Sequence, residues 1–467
     1  MKKGNIVERL KITGISADGK AVGRKNGLVV FVKGGAPGDL VDIRITGRDK
    51  KFLLGKIIEF HEKSIDRTDP FCDHFGTCGG CKWQHITYDS QLKNKQKHVQ
   101  DNLTKISGMS LPPVEPILGS TKTTLYRNKL EFTFSNKRWL TRTEIDSGKE
   151  LSRNALGFHI PKMYDKILDI QECHLQAAPS NLIRNSIREY AEENQLSFYD
   201  IRKHEGLLRN LIIRTASTGD IMVIVQFGHH DREKIIGLMN FLREQFPEIT
   251  SLNYVVNEKK NETYYDLSMV NFYGEEFIEE KMGDLTFRIG PKSFYQTNSE
   301  QAKVLYDKIL EFADLSGDEI VYDLYTGTGT IANYLARKVK KVIGIESVED
   351  SVEDARKNSG INGILNTEFY AGDMKDMLGN DFIRKHGKPK VIITDPPRAG
   401  MHKNVIKSLK RIEADKVVYV SCNPSTQARD LQELGEKYYV HRIQPVDMFP
   451  HTHHVENIAL LIHKKYE

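Results

Sequence analysis

Near the carboxyl end, the stretch VVYVSCNPST closes a run of β-branched and aromatic residues on a single cysteine, Cys422. A thiolate is a strong nucleophile, and Pro424 immediately beyond it stops the strand from pairing further. Taken alone, a cysteine at the end of a buried-looking strand is more often inert packing than a catalyst. What else reaches the same edge of the sheet decides the matter. IITDPPRAGM ends a preceding strand in Asp395, and the two prolines behind the acid hold the chain extended. VYDLYTGTGTIANYLA carries a strand through Asp323 into Gly327 and Gly329 and on into a helix, a D-x-x-x-G-x-G pattern. Glycines there let the backbone pass close to a ligand. KVIGIES then ends a second strand in Glu346, a carboxylate suited to accepting both hydroxyls of a ribose. A dinucleotide would suit this pair of features too, but the third glycine of that fingerprint is absent, because position 332 is Ala332. Glu456 stands just ahead of a long apolar run, an expensive place for a carboxylate unless it is paired or used. His451, His453 and His454 nearby form H-x-H-H, which has no established ligand geometry, and the chemistry needs no metal there.

The other four cysteines are a separate set. Cys72, Cys78 and Cys81 are spaced C-x5-C-x2-C, and Cys173 follows far downstream in IQECHL. A disulfide framework is disfavoured in a reducing compartment. Four thiolates suit either a [4Fe–4S] cluster or a structural zinc. Zinc ribbons usually pair two C-x2-C units and only one is present, so the three-plus-one arrangement favours iron–sulfur, with zinc the alternative at the same residues. A complete set of four points to a structural or recognition role, since a radical enzyme leaves one iron open.

These residues are carried by three segments. Residues 1–62 alternate apolar and polar positions between glycine turns, the pattern of a small β-barrel. Residues 63–280 mix helical and strand signals and read as an α+β region without a derivable topology. Within it a helix is expected over 88–106, with Leu92, Val99, Leu103 and Ile106 on one face. From residue 281 onward, β-branched runs alternate with helical segments, which implies a mostly parallel, doubly wound sheet with its ligand beyond the carboxyl ends of the strands.

Composition agrees with that division. The 467 residues are too many for one ordinary core. Net charge is +5, but residues 1–62 hold 13 Lys and Arg against 7 Asp and Glu, so the rest of the chain sums to −1. A basic module on a near-neutral body points to a polyanionic partner, RNA or DNA first. No apolar run is long enough for a membrane span, and the start lacks a signal-peptide core, so a cytoplasmic protein with no membrane partner is expected.

GKAVGR and GAPGDLVDIRI make the first segment resemble the TRAM module of RNA-modifying enzymes. With SCNPST, DPPRAG, FYQTN, YRNK, the cysteine spacing and DMFPHTHHVE, the whole chain resembles the RNA uracil-C5 methyltransferases, closest to the branch acting on 23S ribosomal RNA. The resemblance implies a TRAM, OB-like barrel, a central α+β domain holding the iron–sulfur site, and a Rossmann-like class I methyltransferase domain. Matched motif by motif, it implies that Gln296, Tyr325, Thr330, Glu346, Asp373 and Asp395 contact S-adenosylmethionine or lie beside it. Thr326 and Thr330 stand where relatives often carry Cys and Asn, which leaves the Thr330 contact in doubt. Phe294 would stack on an extruded base, Arg127 and Lys129 would grip phosphates, Cys422 would be the nucleophile and Glu456 the base. Cys72, Cys78, Cys81 and Cys173 would be the cluster ligands. RNA, most specifically 23S ribosomal RNA, would be the partner, with no obligate protein partner and a monomeric chain. Three alternatives stay open: a transfer-RNA substrate, an amino methyltransferase that does not need Cys422, and a non-catalytic RNA-binding assembly factor that does not need Glu456.

Overall fold

A computed structural model describes residues 2–466. The chain divides into two compact units that do not follow chain order. The first comprises Met1–Gly76, Gly80–Thr121 and Asp395–Glu467, and the second Thr77–Gly79 and Lys122–Thr394.

The first unit opens with β1 (Ile6–Ile15), β2 (Ala21–Lys25), β3 (Leu28–Lys33), β4 (Leu40–Arg48) and β5 (Phe52–Glu62), closed into a barrel in the order β1-β2-β3-β5-β4. Alternation fills its interior: Val7, Leu10, Ile12, Val30, Val32, Val41, Ile43, Ile45 and Leu53 point inward and are buried. Closure removes the unpaired edges that a small open sheet would present. Next comes a helix, Tyr88–Ser107, ended by Gly108 in the left-handed conformation. Its buried face is Ser90, Gln91, Lys95, Val99, Leu103 and Ser107. Two of the four residues expected on that face, Val99 and Leu103, are on it, whereas Leu92 is half-buried and Ile106 is exposed. Apolar periodicity missed the buried polar residues of this face, among them Gln91 and Lys95, which take partners from distant chain in His451 and Asp447.

The second unit contains a seven-stranded mixed sheet of β6 (Lys129–Ser135), β7 (Ala155–Ile160), β8 (Met163–Asp169), β9 (Leu208–Thr215), β10 (Ile221–Phe227), β11 (Ser251–Val256) and β12 (Val270–Gly274), in the order β12-β11-β10-β9-β6-β7-β8. Helices Ser180–Glu193 and Arg232–Gln245 contribute Ile183, Ile187, Leu238, Met239 and Leu242 to the buried core of this region. A hairpin of β13 (Ile278–Met282) and β14 (Leu285–Ile289) follows. Then β15 (Ile320–Leu324), β16 (Lys341–Glu346), β17 (Thr367–Ala371) and β18 (Val391–Thr394) run parallel in the order β17-β16-β15-β18. This is the parallel, helix-connected pattern expected from the sequence, with β17 an addition that its short, partly polar run TEFYA concealed.

Back in the first unit, β19 (Lys416–Ser421), β20 (Tyr438–Val446) and β21 (Glu456–His463) are antiparallel, with β21 between the other two. The run NIALLIH, read as one more strand of the alternating series, therefore runs opposite to β19. The helix Pro424–Leu434 starts on Pro424, whose missing N–H and fixed φ suit the first helical position. Asn423 caps it by accepting from the Ser425 N–H.

Candidate active site

The thiol of the first unit sits one residue beyond the end of β19, half-buried. Three side chains act on it. Glu456, the first residue of β21 and only 7% exposed, and Asp395 oppose its ionisation whenever they are charged, while Arg398 lies within hydrogen-bonding reach. Burial first, then the two carboxylates, push the Cys422 thiol up to about 11, with the Arg398 guanidinium pulling the other way. Burial raises Glu456 to about 8, Asp395 adding to the rise and Arg398 opposing it. Burial also raises Asp395, to about 7. Two carboxyls and a thiol sharing one partly buried site cannot all ionise together, and groups shifted this far toward neutrality mark a functional site more often than a structural one. The structure thus brings together Cys422, Asp395 and Glu456 and adds Arg398, which the sequence quoted within DPPRAG without giving it work.

A second set of side chains holds this cluster. Asp447 and Lys95, both fully buried, pair at 2.5 Å, and Lys95 Nζ also donates to the Phe449 carbonyl at 3.0 Å. Tyr88 donates to Asp447 at 2.9 Å. Gln91 accepts from the His451 N–H at 2.8 Å, and its Nε2 lies 3.2 Å from His451 Nδ1. His451 itself takes a left-handed φ of 64°, a strained setting for a non-glycine residue. The helix Tyr88–Ser107 therefore clamps the turn that leads into Glu456.

In the second unit the glycine loop forms a cradle. Tyr325, Gly327 and Gly329 have φ of 63°, 54° and 74°. A Cβ on Gly327 would meet open space, so the backbone there is exposed to a ligand. Glu346 accepts from the N–H groups of Gly327, Ser347 and Val348 at 3.2, 2.7 and 3.1 Å, which fixes its carboxylate at the lip of the loop. Thr328 donates to the Phe294 carbonyl at 3.2 Å, and Tyr306 and Thr330 hydroxyls meet at 3.2 Å. Asn128 binds the Gln296 and Thr297 carbonyls, both bonds at 2.8 Å, so YRNK and FYQTN come together with Arg127 one residue away. Phe294 is 66% exposed, and Asp373 caps a short helix by accepting from the Lys375 N–H. A loop open to backbone approach beside a fixed carboxylate is what an adenosine-bearing donor such as S-adenosylmethionine requires, so these residues fit that group.

The four remaining cysteines are all half-buried. Cys78 and Cys173, in the second unit, pack on the apolar cluster of Ile160, Leu168 and Ile170. Cys72 and Cys81 belong to the first unit. Among the described residues no three His, Cys, Asp or Glu side chains are grouped as a metal site. Four thiols are the right donor chemistry for a cluster.

Residues 266–465 match the model of tRNA (Uracil-5-)-methyltransferases, and residues 5–58 match the TRAM domain. An uncharacterized RNA methyltransferase of Bacteroides thetaiotaomicron is 55% identical over 96% of this chain and 99% of its own length. The chain belongs to the RNA uracil-5-methyltransferase family. An uncharacterized RNA methyltransferase of Porphyromonas gingivalis is 52% identical over 97% of this chain and 99% of its own. Among solved structures, the Pyrococcus abyssi tRNA (uracil-54, C5)-methyltransferase in complex with S-adenosyl-L-homocysteine superposes with a TM-score of 0.75, at 31% identity, over 97% of this chain and all of that one. The barrel is thus a TRAM domain, and the carboxyl-terminal part has the class I methyltransferase fold of this family.

Proposed function

We propose that this chain methylates carbon 5 of uridine in 23S ribosomal RNA, with Cys422 as nucleophile and Glu456 as base. The observation that carries the reading is the cluster of Cys422, Glu456, Asp395 and Arg398, in which both carboxyls and the thiol are held near neutrality. Carbon 5 of uracil is too weak a nucleophile to take a methyl group unaided. Cys422 adds through Sγ to carbon 6, and the ring becomes an enolate with electron density at carbon 5. S-adenosylmethionine, when bound, supplies the electrophilic methyl group that this carbon attacks. Glu456 then takes the carbon 5 proton, the Sγ–C6 bond breaks, the ring double bond reforms and the thiolate leaves. Asp395, whose carboxyl is pushed up to about 7, keeps enough proton at neutral pH to donate to the uracil edge.

In this reading Glu346 binds the donor's ribose, and Gln296, Tyr325, Thr330 and Asp373 line the same site. Phe294 stacks on the base after it is flipped from its helix. Residues 1–62 bind RNA, with Arg127 and Lys129 on phosphates. Residues 63–280 form the central domain and residues 281–467 the methyltransferase domain of a monomeric cytoplasmic enzyme. We assign Cys72, Cys78, Cys81 and Cys173 to a [4Fe–4S] cluster on the number and type of their donors; iron and sulfide analysis after anaerobic purification tests this, and zinc in place of iron would overturn it. A transfer-RNA substrate is the second reading, favoured by the likeness to the Pyrococcus abyssi tRNA (uracil-54, C5)-methyltransferase.

The test uses RNA containing 5-fluorouridine, whose fluorine blocks proton removal and traps the adduct. Wild type with S-adenosylmethionine is expected to give a covalent complex with 23S transcripts that survives denaturing electrophoresis, and Cys422→Ala none. Methylation by Cys422→Ala at the wild-type rate would overturn the mechanism, and a complex formed on transfer RNA alone would overturn the substrate.

A further inference from the structure

The thiol site contains a contradiction that its own residues resolve. Glu456 and Asp395 both oppose ionisation of Cys422, and Arg398 is the cation beside it that favours the thiolate. Yet Arg398 is an exposed residue, and a long exposed side chain loses considerable rotamer freedom when it is held in one place. Its backbone is anchored: the Arg398 carbonyl accepts from Asn423 Nδ2 at 3.0 Å and from the Thr426 hydroxyl at 3.1 Å. Its far end is anchored as well, because Nη2 lies 2.9 Å from His454 Nδ1. A guanidinium has only donors, so Nδ1 of His454 is the acceptor and the ring proton sits on Nε2.

We propose that His454 is a positioning residue, whose Nδ1 holds the Arg398 guanidinium against Cys422 so that the thiol can ionise beside two carboxyls. The proposal rests on the preceding reading only in taking Cys422 as the nucleophile. His454 is itself buttressed. The His453 ring lies against it with centroids 4.1 Å apart, and Phe449 meets it edge-on at 6.4 Å. His453 Nδ1 in turn faces Lys82 Nζ at 3.4 Å, and Lys82 also donates to the Asp18 carbonyl in the β1–β2 turn of the barrel. The charged groups acting on His454 are Arg398, Lys82 and Lys95, with His453 beside it, and with burial they push its imidazole down to about 3. It therefore stays an acceptor throughout the working pH range. In the H-x-H-H run the adjacent Nδ1 atoms of His453 and His454 are both turned toward cationic side chains.

Alkylation of Cys422 by iodoacetamide, followed across pH by mass spectrometry of its peptide, tests this without RNA or methyl donor. His454→Ala is expected to alkylate roughly three- to ten-fold more slowly than wild type, with its pH profile displaced upward by about 0.5–1 unit. His454→Asn, whose Oδ1 can stand where Nδ1 stood, is expected to recover most of the rate, whereas a merely structural role would not be rescued by acceptor geometry. In an Arg398→Gln background, His454→Ala should add nothing, because both changes break one link. An unchanged profile in His454→Ala, or additive effects of the two changes, would overturn the proposal. If His454→Ala does not fold, the comparison of His454→Asn with His454→Gln decides: equal rates overturn it, and a faster Asn variant supports it. Because the assay reads thiol ionisation alone, a wrong RNA substrate or a failed methylation assay would leave its outcome untouched.

Discussion

The thiol cluster of the first unit and the glycine cradle of the second handle carboxylates in opposite ways. Glu346 meets three backbone N–H groups and stands at an open loop. Glu456 is buried, faces another carboxyl, and is pushed up to about 8. Backbone donors fix a carboxylate as an acceptor, which suits binding, whereas burial beside like charge makes it reluctant to stay ionised, which suits a group that must take a proton and give it back. In the proposed mechanism this difference matches the two roles, Glu346 binding the donor and Glu456 taking the proton.

The largest expected break is Glu456→Gln. With the thiol intact and no base, ordinary uridine RNA should form the adduct, accept the methyl group and then stall. Turnover should fall by roughly 10²–10⁴-fold, with methylated covalent complex accumulating on denaturing gels. Rapid turnover without accumulation would remove Glu456 from the role of base. Next in size is Glu346→Ala, where calorimetry should show S-adenosylmethionine binding weakened by roughly 10- to 100-fold, the value of one or two hydrogen bonds to a charged group. Alkylation of Cys422 should not change in that variant; a slower thiol would mean that the two sites are not chemically separate.

The smallest effect is on stability. The folded-state value of Glu456 lies above its ordinary one of 4.5, so the contribution of the neutral carboxyl is complete below about pH 4.5 and is lost as pH rises through about 8. Glu456→Gln removes that loss. Its melting temperature should gain on wild type between pH 6 and pH 9, by an amount equivalent to about 1–2 kcal/mol once solvent relaxation is allowed for. A difference that does not vary with pH would contradict the raised value.

How much of this was legible without coordinates depended on whether a residue's partners lie nearby in the chain. Cys422, Asp395, Glu346 and the glycine loop each end a strand whose β-branched run announces it. The barrel was legible for the same reason, since alternation and glycine turns are local signals. Lys95 was not: a lysine on a basic helix reads as solvated until Asp447, from the other end of the chain, is brought to it. Arg398 and His454 were visible as letters within motifs, but their function lies in a 2.9 Å contact that neither spacing nor type encodes. Reversal of β21 against β19 was hidden because an apolar strand reads the same in both directions. The two-unit grouping was hidden because it joins residues 80–121 to the barrel and the last 73 residues across the second unit.

Gly19 in the β1–β2 turn has a φ of 81°, and a methyl group added there would come within 3.0 Å of His453 Cβ. The barrel turn and the histidine pair are thus fitted surface to surface, with Trp83 Nε1 donating to the Gly19 carbonyl at 3.0 Å to fix the distance. A bulkier residue at the amino-terminal end of the chain would be registered by the imidazoles that steady the guanidinium. Such a lesion would look, in a kinetic screen, like damage to the chemistry itself, although the nucleic-acid module alone had been altered.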